Sequence, residues 1–218
     1  MLKTQIAIYG AGGFGRQVAW IAEVCCSAEM VYEVVCFIDD NCKQEGHLVN
    51  DVPVMRLDTA RKRFPEAKVV GGVGDPRIRQ ILIEKAEHVG FTFATLVHPR
   101  VERSRWLDIG LGTVISAGTG FATNVVLGQH VQINLDCTIG EDVILDDYTT
   151  LTPGVHVSGA VHTGKRVYLG TGAVIKHGTR EHPIVIGDDA IVGAGAVVTK
   201  SVPPGATVVG VPARPIVR

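Results

Sequence analysis

Val125-Val-Leu-Gly-Gln-His-Val-Gln-Ile-Asn-Leu-Asp-Cys-Thr-Ile-Gly-Glu-Asp-Val-Ile-Leu145 decides the fold of the second half of this chain. Leu127, Ile133, Ile139 and Leu145 stand six residues apart. The spacing reaches back through Phe121 and Ile115 to Ile109, and forward through Leu151, Val157, Thr163 and Leu169 to Ile175. Eleven of these twelve positions are aliphatic or aromatic. A small or aliphatic side chain recurs four residues later, from Val125 to Ala173. Five extra residues fall within 176–185, and the period resumes at Ile186, Val192 and Val198. Glycine follows several of the apolar residues, as in Ile139-Gly140, Leu169-Gly170 and Ile186-Gly187. This hexapeptide repeat is the signature of a parallel β-helix. Three hexads make one triangular coil of about 18 residues, and fifteen hexads make five coils. The apolar residue of each hexad points into a narrow prism, which excludes most aromatic rings. The extra residues around His177-Gly-Thr-Arg-Glu-His182 then leave the prism as a protruding loop.

Ahead of the repeat, the pattern changes to α/β. Gln5-Ile-Ala-Ile-Tyr9 reads as a strand and Gly10-Ala-Gly-Gly-Phe-Gly15 as a turn. Arg16 to Ala28 has helical apolar spacing. Val34–Ile38 is a second strand ending at Asp39-Asp40, and Val69-Val70 opens a third that closes on Gly71-Gly-Val-Gly-Asp75. Pro76 to Val89 reads as helix and Phe91 to Val97 as a last strand. Such alternation favours a parallel sheet with its ligand at the carboxyl ends of the strands. The turn matches GxGxxG between strand and helix, where backbone N–H groups can approach a phosphate. Asp39 stands where an acid can bind a ribose hydroxyl. A nucleotide-linked ligand, a nicotinamide dinucleotide and a purely structural turn all fit these residues. The sheet ends near residue 100, half of a two-part dinucleotide fold, which disfavours the second. The expected domains are therefore 1–100 and 101–218.

Composition narrows the function. The chain has 26 glycines in 218 residues, 46% hydrophobic and 20% charged residues, 6% aromatics and a net charge of -1. It lacks the basic face of a nucleic-acid binder and the high charge of a disordered chain. No apolar run approaches the ~20 residues of a membrane span. The start, Met1-Leu-Lys-Thr-Gln-Ile6, shows no signal-peptide layout, so a cytoplasmic protein is expected. Five cysteines without a CxxC pair argue against disulfides and a zinc–cysteine site. Cys25 and Cys26 read as small buried side chains of a helix.

Tyr9-Gly-Ala-Gly-Gly-Phe-Gly15, Phe37-Ile-Asp-Asp40, Gly72-Val-Gly-Asp75, Val97-His-Pro99, the hexads, Val192-Gly-Ala-Gly-Ala196 and Val209-Gly-Val-Pro-Ala-Arg214 occur in one order. Together they resemble the sialic acid O-acetyltransferase type of sugar acyltransferases, which includes bacterial nucleotide-amino-sugar N-acetyltransferases. The resemblance spans the whole chain. It implies a Rossmann-like βαβ domain followed by a left-handed β-helix, assembled as a homotrimer with the active site between subunits. It implies acetyl-CoA as co-substrate and a nucleotide-linked sugar as acceptor, in surface-glycan biosynthesis. Gly10, Gly12, Gly13, Phe14, Asp39, Asp40, Gly74 and Asp75 would hold the nucleotide sugar. Gly159, Thr171, Gly193, Ala194, Lys200 and Arg214 would line a CoA groove along one edge, the last two meeting phosphates as charges.

The chemistry needs a base for the attacking amine or hydroxyl. The resemblance places a histidine–acid pair after an Ile-Gly of a middle hexad, where this chain has Glu141-Asp142. The position of a second family histidine, nine residues on, holds Thr150. Three readings stand. Glu141 is the base beside Asp142; or His130, His156, His177 or His182 has taken over; or the protein is a weakly active or non-catalytic sugar-nucleotide-binding homologue, or relies on substrate positioning alone. A zinc site of the γ-type carbonic anhydrase kind is the remaining alternative. His156 and His162, six apart, would lie on adjacent faces rather than stacked, and no metal is expected.

Overall fold

The computed structural model describes residues 2–25, 30–41 and 45–216, with the backbone alone for Leu2 and Met30. Two compact units divide the chain, residues 1–99 and 100–218. No helix among the described residues is long and apolar enough to cross a membrane.

In the first unit, β1 (Leu2–Tyr9) leads through Gly10–Gly12 into α1 (Gly13–Val24). β2 (Met30–Ile38), the hairpin β3 (Leu48–Val49) and β4 (Val52–Met55), α2 (Leu57–Arg63), β5 (Lys68–Gly71), α3 (Pro76–His88) and β6 (Thr92–Phe93) follow. The sheet order is β3-β4-β2-β1-β5-β6. β1 runs parallel to β2 on one side and to β5 on the other. Connections leave β1 in both directions, so its carboxyl end is the topological switch point. Ile6, Ile8, Val69, Val70, Phe37 and Ile38 are fully buried between the helices, which explains the continuous apolar runs.

Three features depart from the expectation. α1 begins at Gly13 rather than Arg16, and the expected tail of that helix, Cys26–Ala28, lies outside the described residues, as does Cys42. The last strand is broken into short pieces, Thr92–Phe93 and Leu96–Val97. The β3–β4 hairpin and α2 have no counterpart in the sequence reading. Asn50 and Asp51 both take positive φ, 47° and 63°, the geometry of a two-residue hairpin turn, and that dipeptide was the missed signal.

The second unit is a parallel β-helix. Leu127 pairs with Leu145, and Leu145 with Thr163, in register and 18 residues apart. Thr163 pairs with Ile186, 23 apart, so the insertion loops out without moving the later coils. One face runs through 107–109, 125–127, 144–145, 161–163 and 184–186. The second runs through 114–115, 132–133, 150–151, 168–169 and 191–192, and the third through 120–121, 138–139, 156–157, 174–175 and 197–198. The inward residues from Ile115 to Val198 are buried. Thr163, the polar exception, is buried too. Its hydroxyl lies 3.1 Å from that of Thr149 and accepts the Asp146 N–H at 3.1 Å. A buried hydroxyl with partners costs little.

Thirteen corners turn through one left-handed residue each. The edge between the first and second faces has Gly112, His130, Tyr148, Arg166 and Asp189 in that conformation. The edge between the second and third has Gly118, Asp136, Gly154, Gly172 and Gly195. The edge from the third back to the first has Asn124, Asp142 and Ala160.

Candidate active site

The glycine turn of the first unit sits at the switch point, and its glycines divide into two kinds. A Cβ on Gly15 would lie 1.9 Å from the Gly10 carbonyl oxygen, and one on Gly10 would lie 2.7 Å from Val73 Cγ2. Those two are demanded by packing. Gly12, Gly13 and Gly74 would meet nothing closer than 3.8 Å. Gly12 caps α1 with no side-chain hydrogen bond, and no acid occupies the first turn. The N–H groups of that turn are therefore available to an anion. Phe14 is half-buried beside them.

The carboxylates around this turn have separate tasks. Asp39 accepts the Asn41 N–H at 2.8 Å, shaping the end of β2. Asp40 accepts the Tyr9 hydroxyl at 2.8 Å and Lys85 Nζ at 2.5 Å. Burial opposes its ionised form, but Lys85 and Tyr9 outweigh it and hold its carboxyl below the usual range. Burial and the same carboxylate push the Tyr9 hydroxyl well above its ordinary value. Asp75 accepts the N–H groups of Arg77 and Ile78 as the N-cap of α3. Asp40 and Asp75, both expected to hold the nucleotide sugar, thus also have partners within the fold. Arg79 is 1% exposed and donates to the carbonyls of Val73 and Gly74 at 3.0 and 3.2 Å. It holds the segment that packs against Gly10.

In the β-helix, Glu141 is exposed at the corner between the third and first faces, and its carboxylate lies over Gly159. Asp142, expected to orient a neighbouring base, accepts Arg180 Nε at 2.9 Å and Asn124 Nδ2 at 3.1 Å. Those bonds, Arg180 first, hold its carboxyl below the usual range. Asp142 anchors the inserted loop. Together with Asn124, Ile144, His162, Thr179 and Arg180 it lines a cavity of about 300 Å³. The loop also closes on itself through paired backbone bonds between Thr179 and His182.

The residues expected in a CoA groove do not share one edge. Thr171, Gly193 and Ala194 lie by the glycine edge, where the Gly195 N–H donates to the Thr171 carbonyl. Gly159 lies at the next edge, bonded through its carbonyl to Gly178. Twelve residues separate Gly159 from Thr171, which is two faces of an 18-residue coil. Lys200 and Arg214 do come together, lining one cavity of about 340 Å³ near the end of the prism. Thr150 is buried in the second face. His156 lies on the third face and His162 on the first.

Comparison with known proteins bears directly on this arrangement. Residues 5–86 match the model of the PglD N-terminal domain. The GDP-perosamine N-acetyltransferase of Escherichia coli O157:H7 is 34% identical over 213 residues, covering 97% of this chain and 96% of that one. The chain belongs to the hexapeptide-repeat sugar acyltransferase family. This acyltransferase also resembles the acetyltransferase domain of PglB from Neisseria gonorrhoeae FA1090 in complex with acetyl coenzyme A, with a TM-score of 0.86 and 32% identity over 99% and 100% of the two chains. A mutant perosamine N-acetyltransferase from Caulobacter crescentus, in complex with CoA and GDP-perosamine, has a TM-score of 0.86 and 28% identity over 98% and 97%. The acyltransferase residues that sequence reasoning missed are Tyr9, Lys85, Arg79 and Arg180. Arg79 carried a readable hint: it stands four residues after the Asp75 cap, on the inward side of α3.

Proposed function

We infer that the protein is an acetyl-CoA-dependent acetyltransferase that acts on the amine or hydroxyl of a nucleotide-linked sugar. The observation that carries this is likeness along the whole chain to N-acetyltransferases, including one structure with CoA and GDP-perosamine bound. The first unit holds the nucleotide, with its diphosphate at the N–H groups around Gly12, Gly13 and Phe14, and with Gly74 and Asp39 beside them. The second unit holds acetyl-CoA. Thr171, Gly193 and Ala194 offer close backbone approach, and Lys200 and Arg214 offer charge to its phosphates. Glu141 is the acid that the family position suggests near the reacting centre, and Asp142 supports it by fixing the loop. The protein works as a homotrimer in the cytoplasm, with each active site completed by a neighbouring subunit.

Thiol release from acetyl-CoA tests the reading, with GDP-, UDP- and dTDP-linked amino and hydroxy sugars as acceptors. Release that depends on one of these sugars is expected. No release with any of them, despite tight sugar-nucleotide binding, would leave a binding protein. Sedimentation equilibrium should return three chains per particle.

A further inference from the structure

The second unit has five histidines positioned in very different ways. His130 is 4% exposed and stacked on Tyr148 with ring centroids 5.2 Å apart. His162 lies on the first face, beside the Asp142–Arg180 pair. His177 and His182 belong to the inserted loop, away from the prism strands. His156 differs from all four. It is exposed on the third face, two residues past Gly154 and so beside the glycine edge that also carries Thr171 and Ala194. Its ring is oriented: Nδ1 lies 2.8 Å from Thr138 Oγ1. The ladder fixes that partner, because Thr138, His156 and Val174 pair in register along the face.

We propose that His156 is the general base of the acetyl transfer and that Thr138 is its positioning residue. The proposal rests on the acetyltransferase reading above. In this proposal Nδ1–H donates to the Thr138 hydroxyl, which leaves the Nε2 lone pair to take a proton. A nucleophile–base–orienter chain has this form in other acyl transfers. The step balances. The amine or hydroxyl of the sugar attacks the thioester carbonyl carbon, forming the C–N or C–O bond, and its proton passes to Nε2. The C–S bond breaks, and the departing CoA thiolate takes that proton back from the imidazolium. The histidine ends neutral, with CoA as a free thiol. The hydrogen bonds of Asp142 go to Arg180 and Asn124, whereas Thr138 meets the His156 ring directly.

Both residues are exposed, so their variants should fold, and thermal melts check this. His156→Asn is expected to lower kcat by about 10²- to 10⁴-fold, the range of a lost general base, with the KM for acetyl-CoA little changed. The acid limb of the kcat/KM profile should vanish with it. Thr138→Val should lower kcat about tenfold, and Thr138→Ser should restore it. A His156→Asn enzyme within twofold of wild type overturns the proposal. So does a slower variant that keeps the acid limb unchanged, since the residue is then structural. An inactive Glu141→Gln beside an active His156→Asn makes Glu141 the base. Wild-type protein that releases no CoA with any nucleotide sugar overturns the acetyltransferase reading, and the proposal with it.

Discussion

Gly15 in the first unit and Gly154 on the prism are the same residue in two different predicaments. A Cβ on Gly15 would sit 1.9 Å from the Gly10 carbonyl oxygen, whereas one on Gly154 would meet nothing within 4 Å. The turn at the switch point needs glycine because backbone passes against backbone. The prism corner needs only a left-handed residue, and His130, Tyr148, Arg166 and Asp189 adopt it on another edge. Gly15 is therefore needed for space and Gly154 for conformation, while the prism holds both kinds: a Cβ on Gly110, Gly140 or Gly170 would also run into backbone, at 2.2, 2.5 and 2.5 Å. On the same edge as Gly154, Gly172 and Gly195 also have open space where a Cβ would stand.

Substitutions at these sites break or sharpen the comparison. Gly15→Ala should be the most damaging, costing about 3 kcal/mol or more in urea unfolding, since a backbone oxygen cannot step aside. Arg79→Met should cost about 2 kcal/mol by removing its buried hydrogen bonds to the Val73 and Gly74 carbonyls. It should also weaken nucleotide-sugar binding in calorimetry. Gly154→Ala should cost only about 1 kcal/mol, the strain of a left-handed alanine, and Ala160→Gly should recover a similar amount. A far larger loss at Gly154 would show that the edge is packed rather than open. Gly12→Ala should leave unfolding within about 0.5 kcal/mol of wild type yet reduce nucleotide-sugar affinity, separating space for the fold from space for a ligand.

The inserted loop supplies the smallest effect. Asp142 is bound by Arg180 and Asn124, so its carboxyl titrates lower in the folded chain than in the unfolded one. Its contribution is complete above the ordinary carboxylate range and lost as pH falls through the folded value. Amide protection at Thr179 and His182 should decline on that acid side. At neutral pH, Asp142→Asn should speed tryptic cleavage after Arg180 by about twofold, a modest change suited to an exposed ion pair.

Some of this was readable from single residues and their spacing. The six-residue period predicted every coil, and even its polar exception, Thr163, stays in register with Leu145. The glycine turn predicted its own place between strand and helix. The hairpin at Asn50-Asp51 was missed because two polar residues between short apolar runs carry a weak pattern. The site was less legible. Asp40, Asp75 and Asp142 were named without their partners in the fold, because a sequence shows a carboxylate and not its neighbours. Lys85 lies 45 residues from Asp40, and Arg180 lies 38 from Asp142.

The sequence by itself determined the architecture: local spacing dictates which side of a strand is apolar, and burial does the rest. It also determined the chemistry on offer, through the glycines, acids and histidines it carries. Only the tertiary structure decided which partners those groups take within the fold. An 18-residue coil brings Thr138 beneath His156 and puts Gly159 and Thr171 on different edges, and folding turns three candidate carboxylates into two ion-pair anchors and a helix cap. Hydrogen bonds and ion pairs form between whatever groups the coils and crossovers bring within about 3 Å, irrespective of their distance along the chain.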